Sequence, residues 1–379
     1  MNVRVFPKPC YFAESVYLLY AFVNRLSLDD QYNRIIRNYR FYPEAENDPG
    51  RNRIQTLIQI SQTVTADMDP ESPRLRYFFE RLSGTDRKTG CCLAQIMLVT
   101  ISLESSEIDD FAWQLLEGYR NIEARGFKIN DMNQLGLVLE RRDVQEEPES
   151  LPQQLERLPC SVEAKWEILR VLTSFPEHLQ ELTELIRPVA AGLKAAEQTL
   201  MEMSAQPLAR WTGYFQTHTV DDFSTEIFNT TFLFAEDNTP HEIWLGVWNF
   251  NPFGAWSEWW PIPTGKARVA YIGGSLSLDL AFARKNQPDS ETLCTMARSL
   301  GSKDKLEILR RCAQSPSTAA KLAAAMNLNS GTVSRNLYSL YKLWLLETRD
   351  DGERVNYVTR LDAIHQLFRW IADYIGGGS

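Results

Sequence analysis

The sequence is poor in the residues that build metal sites and disulfide frameworks. It has four histidines and six cysteines among 379 residues, and no two cysteines form a CxxC pattern. The two adjacent thiols, Cys91 and Cys92, cannot easily bridge each other. The first residues also lack a signal-peptide pattern. We therefore expect reduced thiols, a cytoplasmic protein, and no metal or cofactor.

Long hydrophobic runs are also lacking. The longest run, residues 91–103, is shorter than the roughly 20 apolar residues that span a bilayer. We therefore expect no membrane partner. The run is apolar on nearly all sides of a helical projection, which predicts the central helix of a bundle.

Enzyme signatures are missing as well. The chain contains no GxSxG, HExxH or Walker motif, and Gly273-Gly274 alone is not a phosphate-binding fingerprint. The histidines are isolated from one another, and the acidic pairs at 221–222 and 236–237 lie in loop-like sequence. We expect no catalytic residues and no enzymatic activity.

The chain as a whole lacks the positive charge typical of nucleic-acid-binding proteins, since its formal net charge is −9. The charge is unevenly spread. Residues 303–375 hold 11 Lys and Arg against 8 Asp and Glu, out of 40 and 49 in the whole chain. This segment therefore carries +3 and the remainder −12. A basic segment joined to an acidic body is the asymmetry expected of a sensor linked to a DNA reader.

Within the basic segment, two stretches have the spacing of a helix-turn-helix. The first begins at Thr318, and its apolar residues Leu322, Ala323 and Met326 recur at helical spacing among alanines. Asn329 then provides a good N-cap for a second helix that runs to residue 343.

The second helix has one apolar and one polar face. Val333, Leu337 and Leu340 share a stripe that we predict to be buried. The other side carries short hydrogen-bonding side chains and one long cation, as expected of a helix that reads the major groove. The predicted DNA-binding residues on this helix are Ser330, Thr332, Ser334, Arg335, Asn336 and Ser339.

A hairpin signal follows the second helix. Asp351-Gly352 lies between two short runs of alternating polar and apolar residues, which predicts the wing of a winged helix. Arg349 and Arg354 would lie near its tip, where contacts to DNA phosphates are expected. Asn356, in the second run, completes the set of predicted DNA-binding residues.

These motifs together resemble the ArsR/SmtB family of bacterial repressors. Residues 305–310 are similar to the family's opening helix, 332–337 to its recognition helix and 351–357 to its wing, so the resemblance covers roughly the last fifth of the chain. Asn336 stands where family members usually carry His, which bears on base preference rather than on DNA binding. The resemblance implies a repressor that binds double-stranded DNA as a homodimer.

In this family, helices flanking the winged domain build the dimer, and the amphipathic segment 361–375 resembles such a helix. The predicted dimer contacts are Ile364, Leu367, Phe368 and Ile371. The alternative is that this face packs against the protein's own chain. The metal sites of the family are not expected, because residues 318–328 lack ligands and Asp362 and His365 form only a partial pair.

The remainder of the chain reads as helices followed by a mixed region. Residues 230–234, 242–248 and 267–272 have the aromatic and β-branched bias of strands, and Pro188 should kink or split a helix over 177–203. The predicted fold class is mainly α with a small β component, in four parts. These are a helical N-terminal region (1–145), a mixed α/β sensor or interaction region (160–300), the winged helix-turn-helix (302–375) and an artificial linker (376–379).

Five of the ten tryptophans lie between residues 244 and 260. One interpretation is an aromatic pocket for a flat or cationic effector; the other is a hydrophobic core or an interdomain seam. The residues of the candidate pocket are Trp244, Trp248, Trp256, Glu258, Trp259 and Trp260.

The function most consistent with these patterns is an ArsR-like one-component transcriptional regulator, acting as a repressor under the control of a small-molecule or protein effector. The alternative is an interaction scaffold whose winged helix binds protein rather than DNA.

Overall fold

A computed structural model shows two compact units, one formed by residues 1–213 and 240–276, the other by residues 214–239 and 277–379. The residues that it describes are 2–39, 49–82, 91–100, 103–132, 136–141, 150–156, 158, 160–219, 222–223, 230–232, 242–262, 265–275, 290–350 and 355–376.

The first unit is built mainly from helices. In chain order they are α1 (Tyr11–Val23), α2 (Leu28–Tyr39), α3 (Pro49–Val64), α4 (Pro73–Phe79), α5 (Leu93–Ile96), α6 (Ile108–Arg125), α7 (Leu151–Glu156), α8 (Val162–Thr173), α9 (Phe175–Ala195) and α10 (Glu197–Phe215). Phe12, Val16 and Leu19 lie on one stripe of α1 and are fully buried in the core of this unit, because their spacing brings them to one face of the helix.

The strands of the first unit form a sheet and a separate hairpin. They are β1 (Asn2–Val5), β2 (Phe127–Met132), β3 (Gly136–Arg141), β5 (Glu242–Trp248), β6 (Ala255–Ile262) and β7 (Gly265–Gly273). The sheet has the order β1-β5-β7-β6, in which β1, β5 and β7 are parallel and β6 is antiparallel to β7. The hairpin pairs β2 with β3. It was not expected in a region that reads as helical.

The second unit contains the predicted helix-turn-helix and wing. Its elements are β4 (Thr230–Phe232), α11 (Ser290–Gly301), α12 (Lys303–Gln314), α13 (Ala319–Met326), α14 (Ser330–Lys342), β8 (Leu346–Asp350), β9 (Val355–Thr359) and α15 (Leu361–Ile375). The sheet order is β4-β8-β9, and an isolated bridge joins Ser317 to Tyr357 of β9. Both units together confirm the fold class, mainly α with a small β component.

One predicted helix is largely absent. The structure forms a helix only over Leu93–Ile96, and the residues that follow as far as Thr100 are not helical. The prediction of a long central helix was therefore wrong. A run that is apolar on all sides indicates burial, and Cys92, Met97 and Leu98 are indeed buried; periodicity alone cannot assign such a run to a helix.

Of the two outcomes predicted at Pro188, a kink or a split, the split does not occur there. Helix α9 continues through Pro188 to Ala195, and the break between α9 and α10 falls at Ala196. Pro188 lies on the exposed side of the helix, where water can hydrogen-bond to the carbonyl that proline leaves without a donor.

The two units follow other boundaries than the regions expected from the sequence. Phe111 and Leu182, which lie on opposite sides of residue 145, belong to one hydrophobic core. The predicted winged region, residues 302–375, lies wholly within the second unit. In the described part of the chain, no helix is both long and apolar enough to cross a membrane.

Candidate nucleic-acid interface

Two capping interactions set the ends of the helix-turn-helix. The Thr318 hydroxyl accepts a hydrogen bond from the Lys321 N–H at 3.2 Å and starts α13. Helix α13 ends at Asn327, whose φ of 52° lies in the left-handed region that Asn tolerates. Asn329 Oδ1 then accepts from the Gly331 N–H at 2.8 Å and starts α14. The turn is therefore built from side chains suited to each helix end.

Helix α14 has the buried stripe that its sequence predicts. Val333, Leu337 and Leu340 are each 0% exposed, in a core to which α12 and α13 contribute Ile308 and Leu322. The burial of three side chains along one stripe fixes the rotation of α14 about its axis. The opposite side of the helix is thereby held toward solvent.

The solvent side of α14 carries the predicted polar residues. Ser330, Ser334 and Arg335 are exposed, whereas Thr332, Asn336 and Ser339 are half-buried. The Arg335 guanidinium lies 3.4 Å from the Thr332 hydroxyl. The predicted residues therefore lie outside the buried stripe, and Arg335 is the long cation exposed near the N-terminal end of the helix.

Two residues of this region were not predicted from the sequence. Lys305 of α12 donates from Nζ to the Ser339 hydroxyl at 2.8 Å, so it ties the opening helix to α14. Tyr338 is 43% exposed on α14, one turn after Ser334. Its spacing from Ser334 and Arg335 could have placed it on the polar surface, since residues three and four apart are neighbours on a helix.

The wing is present as an antiparallel pair of strands. The register of β8 and β9 pairs Arg349 with Asn356, and Leu346 with Thr359. Arg349 forms an ion pair with Glu347 at 3.2 Å and is half-buried. The predicted turn at 351–352 and the predicted contact Arg354 lie outside the described residues. Of the predicted wing contacts, the structure therefore places Arg349 and Asn356 opposite each other on neighbouring strands.

The predicted dimer helix has two apolar sides. Leu367 is 0% exposed, and Ile364 and Ile371 pack with it against the core of the second unit. Phe368, in contrast, is 58% exposed. Leu361 and Ile375, seven residues before and after Phe368, are exposed at 53% and 77%. An apolar stripe at heptad spacing therefore faces solvent in the described chain, beside the stripe that holds the helix in place.

Two tryptophans of the candidate effector pocket are core residues of the first unit. Trp244 and Trp248, on β5, are 5% and 1% exposed, and Trp248 stacks on Tyr271 with 5.5 Å between ring centroids. The side chains of Trp256, Glu258, Trp259 and Trp260 lie outside the described residues, although their backbone forms β6. An effector pocket at this cluster stays a prediction.

One member of the partial metal pair, Asp362, is engaged in another contact. Asp362 accepts from Arg360 at 2.9 Å in an ion pair. Within the ranges that the structure describes, no three His, Cys, Asp or Glu side chains come together in a way that could hold a metal ion. The absence of a cofactor and of enzymatic activity stays a prediction.

A buried polar cluster in the first unit was missed by sequence reasoning. The Glu14 carboxylate, 0% exposed, accepts from the backbone N–H groups of Asn249 and Phe250, each at 2.8 Å, and from Asn249 Nδ2 at 3.1 Å. Arg53 donates to Asn249 Oδ1 at 2.6 Å and to the Met203 carbonyl. Burial raises the pKa of Glu14 to about 7, although these hydrogen bonds and Arg53 oppose the rise.

The chain is similar to one solved structure. A scan of protein-family models and a search of curated proteins gave no match. Among solved structures, the chain is similar to a homodimeric winged helix-turn-helix DNA-binding domain from Mycobacterium bovis, a possible ArsR-family transcriptional regulator. The identity is 26% over 23% of this chain and 89% of that chain, with a TM-score of 0.20. A TM-score this low carries no structural conclusion of its own.

Proposed function

We propose that the protein is an ArsR-like transcriptional regulator, a repressor that binds double-stranded DNA through α14 and the wing. The observation that carries this proposal is the two-sided character of α14. Its apolar stripe is completely buried, whereas Ser330, Ser334 and Arg335 are exposed and Thr332, Asn336 and Ser339 are half-buried beside them. Such side chains donate and accept hydrogen bonds at base edges, and a cation adds attraction to phosphate.

The charge distribution supports the same proposal. The net charge of +3 over residues 303–375 contrasts with −12 in the remaining chain. An excess of this size is small for a DNA-binding surface. Two copies of the domain would double it, and symmetric half-sites on DNA need two readers.

The exposed heptad stripe on α15 supports a homodimer. Leu361, Phe368 and Ile375 offer exposed apolar side chains at heptad spacing, and covering them with a second copy gains free energy. In this mechanism the dimer sets the spacing of the two α14 helices. A small-molecule or protein effector that acts on the first unit would change this spacing and lower operator affinity by a population shift.

The test of DNA binding is a mobility-shift titration of the full chain against its own upstream intergenic DNA at low salt. The variant is Arg335→Ala, which removes the cation from the exposed side of α14. The matched control is Arg120→Ala, an exposed arginine of the first unit paired with Glu117, which changes the net charge by the same amount.

We expect the wild type and the Arg120 variant to bind alike, and the Arg335 variant to bind at least about fivefold more weakly, since a good side-chain contact to a base contributes roughly 1–3 kcal/mol. We also expect affinity to fall steeply with salt. If the wild type retains no DNA at low salt but does bind a protein partner, the interaction scaffold becomes the better account.

A further inference from the structure

The wing does not end in a free strand edge. Strand β4 lies parallel to β8 and pairs Thr230 with Thr348, Thr231 with Arg349, and Phe232 with Asp350. The three β8 positions are those nearest the tip of the wing. A segment more than one hundred residues distant in sequence thus occupies the outer edge of the wing, and nothing in the local sequence pattern around β8 predicts it.

The added strand changes the mechanics of the wing. On the β9 side the wing is already bridged to Ser317, whereas on the β8 side β4 supplies partners for N–H and C=O groups of an otherwise open edge. The residue paired with Thr231 is Arg349, the described cation of the wing. Pairing of the Arg349 backbone with β4 limits the positions that the Arg349 guanidinium can occupy.

Strand β4 is also placed on the connection between the two units. The chain leaves the first unit after residue 213, contributes β4 to the wing sheet, and re-enters the first unit at residue 240. The next strand, β5, begins at Glu242 and lies between β1 and β7 in the sheet of the first unit. Strands β4 and β5, which follow one another among the described strands, therefore belong to different units.

We propose that β4 is a detachable brace of the wing: paired, it holds the wing in the conformation that contacts DNA, and released, it lowers DNA affinity. This inference rests on the proposed DNA-binding function. The pairing involves three residues, so its release requires little free energy compared with unfolding of the unit.

The test removes the hydrogen bonds of β4 without removing the segment. Alternate N–H groups of a strand face the same neighbour, so consecutive prolines at Thr230 and Thr231 eliminate at least one donor to β8. The matched control, Thr230→Val with Thr231→Val, keeps both donors and the β-branched shape. Both variants are made in the full chain.

Two measurements are made on each variant. Hydrogen exchange of the backbone amides reports on β8 and, as a check that the unit is folded, on α14. Affinity for the upstream DNA reports on function. In the proline variant we expect faster exchange in β8, unchanged exchange in α14, and DNA binding about tenfold weaker, which corresponds to 1.4 kcal/mol. The valine variant should match the wild type in both.

The possible results separate this inference from the proposed function. Unchanged exchange in β8 of the proline variant overturns the brace, whatever the DNA result. Faster exchange with unchanged or tighter DNA binding overturns the brace as a device that promotes binding. A wild type that binds no DNA contradicts the proposed function and with it the regulatory role, while exchange still decides whether β4 stabilises the wing.

Discussion

Glu14 is the residue whose surroundings make the stability of the first unit depend on pH. Its pKa is raised by burial to about 7, so the folded state keeps a proton that the unfolded state loses near the ordinary value of 4.5. The folded state therefore binds more protons between these two values. Stability conferred by this group is present below about pH 4.5, falls as the pH rises to about 7, and then stays level.

The prediction concerns the Glu14→Gln variant. As the pH rises from 5 to 7.5, the wild type should lose stability relative to the variant, and the difference in free energy of unfolding should change by roughly 2 kcal/mol. Denaturant unfolding of both proteins at a series of pH values measures it. Parallel pH profiles would show that Glu14 keeps its ordinary pKa.

Single residues also show what sequence reasoning could and could not find. Val333, Leu337 and Leu340 were predicted as a buried stripe because their spacing is periodic, and all three are buried. Glu14 gave no such signal. Its carboxylate oxygens accept hydrogen bonds from N–H groups about 235 residues away in sequence. No local pattern indicates that a carboxylate in a helix will be buried.

At the scale of elements, the start of α14 depends on one cap. Asn329 Oδ1 accepts the Gly331 N–H at 2.8 Å, and that N–H has no partner within the helix. Asn329→Ala should destabilise the second unit by about 1 kcal/mol, whereas Asn329→Ser, which keeps an acceptor, should cost much less.

Hydrogen exchange of the α14 amides tests this prediction, because about 1 kcal/mol corresponds to roughly fivefold faster exchange. Equal exchange in the alanine and serine variants would mean that the cap contributes nothing to the start of the helix.

Elements were predictable where their pattern is local. The helices and strands of the winged region follow from periodicity, a cap and alternation within about forty residues. The prediction of a long helix over 91–103 failed because a segment buried on all sides shows no apolar periodicity. Strand β4 was predicted as a strand, but its partner was not, since pairing of distant segments depends on the tertiary fold and not on propensity.

At the scale of the whole molecule, dimerisation would depend on the exposed stripe of α15, since three of the four predicted dimer contacts, Ile364, Leu367 and Ile371, pack against the core of the second unit. Phe368→Asp should abolish a dimer formed through the exposed stripe of α15, because a carboxylate would be buried without a partner. Arg369→Gln changes the net charge equally on the same helix and should leave the dimer intact. Sedimentation velocity measures both. A monomeric wild type, or a dimeric Phe368 variant, would contradict dimerisation at this stripe.

The most direct test of the central claim is selection of binding sites by the full chain from a library of random DNA duplexes. If the protein reads DNA as a dimeric winged helix, we expect enrichment of an inverted repeat. Its half-sites should lie about one helical turn apart, roughly 10 base pairs, or a multiple of that distance. Arg335→Ala should lose the preference at one position of each half-site. If no sequence is enriched above the starting library, α14 does not read DNA bases, and the account of this chain as a sequence-specific regulator is contradicted.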